Sequence, residues 1–127
     1  MSFGSTIKSK RLEMGLTGPE LTRLSDVNQP IISRIENDLE VPEKNRWLLV
    51  EALKIPFNNR LFSKKIREKR EALGWSIATA AKVIKISESA IYLLEGNKKM
   101  LSMALCYKLA KTLKLNLDDF VDTAPKN

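Results

Sequence analysis

Residues 62–95 repeat the pattern of residues 3–36. Phe62, Ile66, Arg70, Leu73 and Gly74 keep the spacing of Phe3, Ile7, Arg11, Met14 and Gly15, displaced by 59 positions. Ser76 stands where Thr17 stood, Val83, Ile86, Ile91 and Leu94 answer Leu24, Val27, Ile32 and Ile35, and Glu95 answers Glu36. After Glu95 the displacement grows to 60, so the loop GNKKML carries one extra residue, and Leu109, Leu113 and Lys114 answer Leu49, Leu53 and Lys54. A register held over roughly 50 residues marks an internal duplication. The chain has 127 residues, so each copy must be a very small domain. We read the boundaries as 1–58 and 59–127.

The centre of the first copy is TGPELTRLSDVNQPIISRIE, residues 17–36. Thr17 can N-cap a helix, with Glu20 three positions on completing a capping box. Pro19 falls in the first turn, where a missing N–H costs little. Leu21, Leu24 and Val27 mark an apolar face. Asn28 can N-cap a second helix, with Ile32 and Ile35 facing inward together. Gln29, Pro30, Ser33, Arg34 and Asn37 are left to point outward. A bracing helix, a tight turn and a helix with an exposed polar face make a helix-turn-helix.

Around this pair the spacing predicts a helix over 3–14 closed by Gly15, built on Phe3, Ile7 and Met14, and another over 43–54 with Trp47, Leu49, Val50 and Leu53 inside. Asn37 is expected in a left-handed conformation after the second helix. LNLDDFV is expected to form a closing helical turn on Leu117, Phe120 and Val121. Phe57 and Leu61 are expected to do the same for the first copy. Trp47, Trp75, Met103 and Cys106 read as core or near-core. The tail DTAPKN reads as frayed.

The formal net charge is +7, and it is uneven. Residues 1–60 hold 9 Lys/Arg and 8 Asp/Glu; residues 61–127 hold 13 and 7. A basic chain points to a polyanion. No apolar run approaches the roughly 18 residues of a membrane span, and MSFGSTIKSK lacks a signal-peptide core. A cytoplasmic location without membrane attachment is therefore expected. Cys106 has no partner for an internal disulfide. With no histidine, no metal-ligand spacing and no paired catalytic carboxylates, we expect no enzyme, no metal and no cofactor.

Both copies resemble the lambda repressor-like, Cro/C1-type (XRE) helix-turn-helix domain of prokaryotic and phage regulators. The first does so through IKSKRLEMGLTGPELTRLSDVNQPIISRIEND…P, the second through IREKREALGWSIATAAKVIKISESAIYLLEGNKK. The resemblance implies an all-α chain of two tandem five-helix domains that bind duplex operator DNA, helix three lying in the major groove. It also implies structural ion pairs, Arg11 with Glu36 and Arg70 with Glu95. The duplication independently returns both residues in register. Two departures stand out. Gly18 and Ile77 replace the glutamine that commonly opens helix two, and Asp26 and Lys85 replace the glycine common in the turn.

On this frame Gln29 can pair with adenine, with Pro30, Ser33 and Arg34 beside it as base-contact candidates; Arg34 and Asn37 also suit phosphate. In the second copy Glu88, Tyr92 and Leu93 replace Gln29, Ser33 and Arg34. Ser89 and Tyr92 are its base-contact candidates, and Asn97, Lys98 and Lys99 its phosphate candidates. Tyr92 and Leu93 also suit a protein contact, with a second copy or another protein. The expected function is a transcriptional regulator, a repressor. The rival is a helix-turn-helix module of antitoxin or anti-activator type that grips a protein.

Overall fold

The computed structural model describes residues 2–122. Among them are eight α-helices and one 3-10 turn: α1 Phe3–Glu13, α2 Gly18–Ser25, α3 Gln29–Glu36, α4 Glu43–Ala52, α5 Asn59–Ala72, α6 Ile77–Ile84, α7 Glu88–Glu95, α8 Met103–Leu113 and the turn Leu117–Asp119. The expected ten helices in two five-helix bundles are corrected to four α-helices in each half. The fifth helix shrinks to the 3-10 turn in one half and to a single β-bridge, Phe57 to Val121, in the other. Each closing segment is too short to sustain a helical nucleus. Of the tail expected to fray, Thr123 onward lies outside the described residues.

The chain divides into two compact units. Unit 1 runs to Phe57 and includes Val121, while unit 2 is Asn58–Phe120. Asn58 goes with unit 2 because its side chain caps α5, accepting the Leu61 N–H at 3.0 Å. Leu61, expected to close the first core, belongs to α5 instead.

In unit 1, α1 packs on α3, and α2 on α3 and α4. The buried set is Ile7, Leu21, Val27, Ile32, Ile35, Trp47, Leu49, Val50 and Leu53. Phe57 tilts against Trp47 with ring centroids 5.9 Å apart. In unit 2, α5 packs on α7 and α8, and α6 on α7 and α8. Phe62, Ile66, Ile84, Ile91, Leu94, Cys106, Leu109 and Leu117 fill its interior, with Phe120 edge-on to Phe62 at 5.1 Å.

Three apolar expectations fail. Leu24 is 59% exposed and its counterpart Val83 48%, and Met14 also faces solvent. The inward stripe of α2 is Leu21 with Ser25, one turn apart, and Leu24 falls on its outer edge; Met14 lies past the end of α1, at its C-cap. Ser25 tolerates burial because its hydroxyl donates to the Leu21 carbonyl at 2.7 Å and accepts the Val27 N–H at 3.1 Å.

Candidate nucleic-acid interface

The α2–α3 pair is set by its caps. Thr17 accepts the Glu20 N–H while the Glu20 carboxylate accepts the Thr17 N–H, so the capping box is complete. The Glu20 carboxyl is thereby held below the usual carboxylate range, chiefly by the Thr17 backbone bond. Asp26 ends α2 in the left-handed region at φ 60°, and Asn28 starts α3 by accepting the Ile31 N–H at 3.1 Å. Unit 2 repeats the construction with Lys85 at φ 66° and Ser87 capping α7. A left-handed Lys is unfavourable relative to Asp or Gly, and the surrounding helices impose it.

Behind each pair sits a bidentate ion pair. Arg11 donates to Glu36 at 2.6 and 3.0 Å and spends its remaining arm on the Leu16 carbonyl at 3.0 Å. Arg70 donates to Glu95 at 2.7 Å through both contacts and to the Trp75 carbonyl at 2.7 Å. The hydrogen bonds that each arginine donates to its glutamate raise the arginine's pKa further. Both pairs are largely buried. Each ties the first helix of its unit to the end of the exposed helix and to the segment entering α2 or α6. Such an arrangement fixes the angle at which α3 or α7 is presented.

On α3, Gln29, Pro30, Ser33 and Arg34 are all exposed, and Ile31 is half-buried. Gln29 lies over the start of α2: a Cβ built on Gly18 would sit 2.9 Å from its Nε2 and 3.1 Å from its Cδ. The absent side chain at position 18 therefore makes room for Gln29. Unit 2 exchanges this combination for Ile77 with Glu88. The sequence signal was the unusual glycine opening α2, but its connection with Gln29 needs the fold.

Two of these candidates are held within the unit. The Arg34 guanidinium donates to the Glu40 carbonyl at 3.0 and 2.9 Å, fastening the exit from α3. The Asn37 amide donates to the Ser33 carbonyl at 2.8 Å, capping α3 internally. One expectation needs correcting: Asn37 is not left-handed, its φ being −100°, and Asp38 takes that conformation at φ 56°. In unit 2 the same place falls to Asn97, at φ 54°.

On α7, Glu88, Ser89 and Tyr92 are exposed, Tyr92 at 60%. Leu93, expected at the surface, is half-buried. Tyr92 and Lys98 line one cleft of about 200 Å³ together with Ile77, Arg67 and Arg70. Asn97, Lys98 and Lys99 are all exposed. One base-contact candidate, Tyr92, and one phosphate candidate, Lys98, thus meet at the same cleft.

Among the described residues no group of three His, Cys, Asp or Glu could hold a metal, and no helix is long and apolar enough to cross a membrane. No curated protein and no solved structure matches the chain. Residues 66–120, from the middle of α5 through the 3-10 turn, match the family model described as Helix-turn-helix.

Proposed function

We propose that the chain is a sequence-specific DNA-binding transcriptional regulator of Cro/C1 type, acting as a repressor, with one helix-turn-helix domain in each unit. The observation that carries this reading is the α6–α7 pair inside the matched stretch, with Lys98 and Lys99 exposed just beyond α7. Cations there can neutralise phosphates while α7 enters the major groove. Unit 1 contributes base readout through Gln29 and Ser33, since it has the same ion pair and the same turn and presents polar side chains on α3.

The experiment is selection of bound fragments from random duplex with the full chain, followed by binding at two salt concentrations. An enriched motif with steep salt dependence is the expected result. Salt-dependent binding without a motif would reduce the protein to a non-specific binder, and no binding would end the proposal. A second reading, attachment to a protein partner or a second copy, is favoured by one observation. Tyr92 stands 60% exposed on the face where a reading helix would carry a small polar residue.

A further inference from the structure

Just past α3 and α7 the two units share a backbone path but not a surface. Asp38 is left-handed at φ 56° and Asn97 at φ 54°. The next residue returns its N–H to the same point of the preceding helix: Leu39 to the Arg34 carbonyl and Lys98 to the Leu93 carbonyl, both at 2.9 Å. Leu39 and Lys98 therefore occupy one structural position. In unit 1 that position carries an apolar side chain, 52% exposed, with Asp38 before it and Glu40 after it. Asp38 already accepts from the Gly4 N–H and the Ser2 hydroxyl, so Glu40 is the carboxylate left over. In unit 2 the position carries a cation, followed by a second one, Lys99.

The ground beside this position differs as well. Lys98 lines the cleft of about 200 Å³ whose walls include Ile77 and Tyr92. The corresponding positions of unit 1 hold Gly18 and Ser33, so unit 1 has no apolar walls there. Arg70 and Glu95, also lining the cleft, satisfy each other. Arg67 meets Glu71 at 3.6 Å with both side chains more than half exposed, a pairing that water largely screens. Among the described residues Lys98 and Glu40 are in no ion pair. Unit 1 thus has an apolar projection beside a free carboxylate, and unit 2 an apolar recess beside a free cation.

We propose that the recess of unit 2 receives the segment Asp38, Leu39, Glu40 from a second copy of this chain. Leu39 seats against Ile77 and Tyr92, removing apolar surface from water on both sides, and Glu40 meets Lys98. Leu39 and Tyr92 are both exposed in the single chain, so each is available to another copy. Projection and recess are different surfaces, which makes the contact heterologous. One side chain in one cleft belongs with the small, transient interfaces below about 1,200 Å². The association is therefore weak and rises with concentration. It rests on the reading in which Tyr92 meets protein, not on base recognition by α7. It also covers Lys98, so an assembled chain cannot spend that residue on phosphate, and duplex competes with the second copy.

Sedimentation of the nuclease-treated full chain over a concentration series tests this. At low salt the mean mass should rise above the 14.4 kDa of one chain, and it should fall back as salt screens Glu40 from Lys98. Leu39→Ala should weaken association about tenfold or more, the transfer cost of one leucine side chain. A charge swap is the sharpest arm. Glu40→Lys chains alone, or Lys98→Glu chains alone, should stay monomeric, because every contact then sets like charges together. Mixing the two variants should restore the mass, since each projection then finds a recess of opposite charge. Three results would overturn the proposal: a chain monomeric at every concentration, a Leu39→Ala variant that associates like the parent, or a mixture no heavier than its components. The first of these would leave the recess to a different protein. A short duplex with room for one chain should dissociate the assembly; duplex that binds and leaves it intact would also overturn the contact. The two readings fail separately. Association in a chain that binds no duplex ends the DNA reading, and duplex binding by a chain that never associates ends this one.

Discussion

After α3 the chain runs Asp38, Leu39, Glu40 and reaches Glu43; after α7 it runs Asn97, Lys98, Lys99. The first segment borders a cleft of about 320 Å³ whose rim holds those three carboxylates beside Phe3, Leu39 and Arg46. The second borders the basic cleft under Tyr92. Beneath these opposed surfaces the two ion pairs match in every partner type: an arginine, a glutamate 25 positions on, and a carbonyl five positions on. The contrast separates two constraints. Packing and buried charge tie the interior of each unit to one solution. The exposed ends of α3 and α7 are tied more lightly, Asp38 through the Gly4 N–H and the Ser2 hydroxyl and Glu43 through Arg46, so the rest of their charge can be set by what they meet.

The comparison breaks most sharply at the shared frame. Arg11→Ala or Arg70→Ala leaves a largely buried glutamate unpaired, and each should destabilise its own unit by about 3–5 kcal/mol. Residue-resolved hydrogen exchange under mild denaturant reads this directly. Arg11→Ala should expose amides of α1–α4 and leave α5–α8 protected, and Arg70→Ala should do the reverse. Equal loss in both units from either variant would mean that the two fold as one cooperative body.

The exposed helices are expected to divide the work. Gln29→Ala should relax base preference at one position by about 1–3 kcal/mol. Tyr92→Ala should change assembly more than sequence choice. Gly18→Ala offers a finer probe, because the new methyl must displace the Gln29 amide without removing it. Competition binding against single-base variants of a selected site measures all three. A loss of base preference in Tyr92→Ala with none in Gln29→Ala would reverse the roles.

How much of this could be read from the chain follows from what periodicity encodes. Spacing reports burial, so Ile7, Leu21, Val27, Ile32 and Ile35 were legible as an interior, and Arg11 and Glu36 could be paired on paper because both return 59 residues later. Leu24 and Met14 show the limit: an apolar residue three positions along a short helix can lie on either side of the stripe's edge, and one at the C-cap, like Met14, is past the helix altogether. Arg34 and Asn37 show another. Their targets are carbonyls of Glu40 and Ser33, and a backbone path is not written in side-chain pattern.

Smaller effects are expected from the loops. Changing Lys98 and Lys99 together to Ala should lower the log–log salt slope of duplex binding by up to about two. Glu40→Lys in unit 1 should raise it by about one if that segment also faces phosphate. An unchanged slope in the lysine variant would remove both residues from the backbone contacts, and an unchanged slope in Glu40→Lys would assign backbone affinity to unit 2 alone.

The smallest expected difference lies in the caps that start α2 and α6. Unit 1 uses a carboxylate: Glu20 accepts the Thr17 N–H at 2.9 Å. Unit 2 uses hydroxyls, Ser76 with Thr79, at 3.0 Å. The Thr17 backbone bond lowers the folded-state pKa of Glu20 below its ordinary value. A carboxyl shifted in that direction binds its proton more readily in the unfolded chain. Its contribution is therefore present above the unfolded pKa and is lost as pH falls through the folded one. Ser76 and Thr79 have no group that titrates there. Acidification should therefore loosen the first turn of α2 before that of α6. Side-chain carboxyl shifts followed by NMR should show Glu20 titrating below free glutamate, and Glu20→Gln should remove the pH dependence of exchange at Thr17 while leaving Ser76 unaffected. If the two amides lose protection together as the pH falls, the carboxylate in the capping box contributes nothing that the hydroxyl pair lacks.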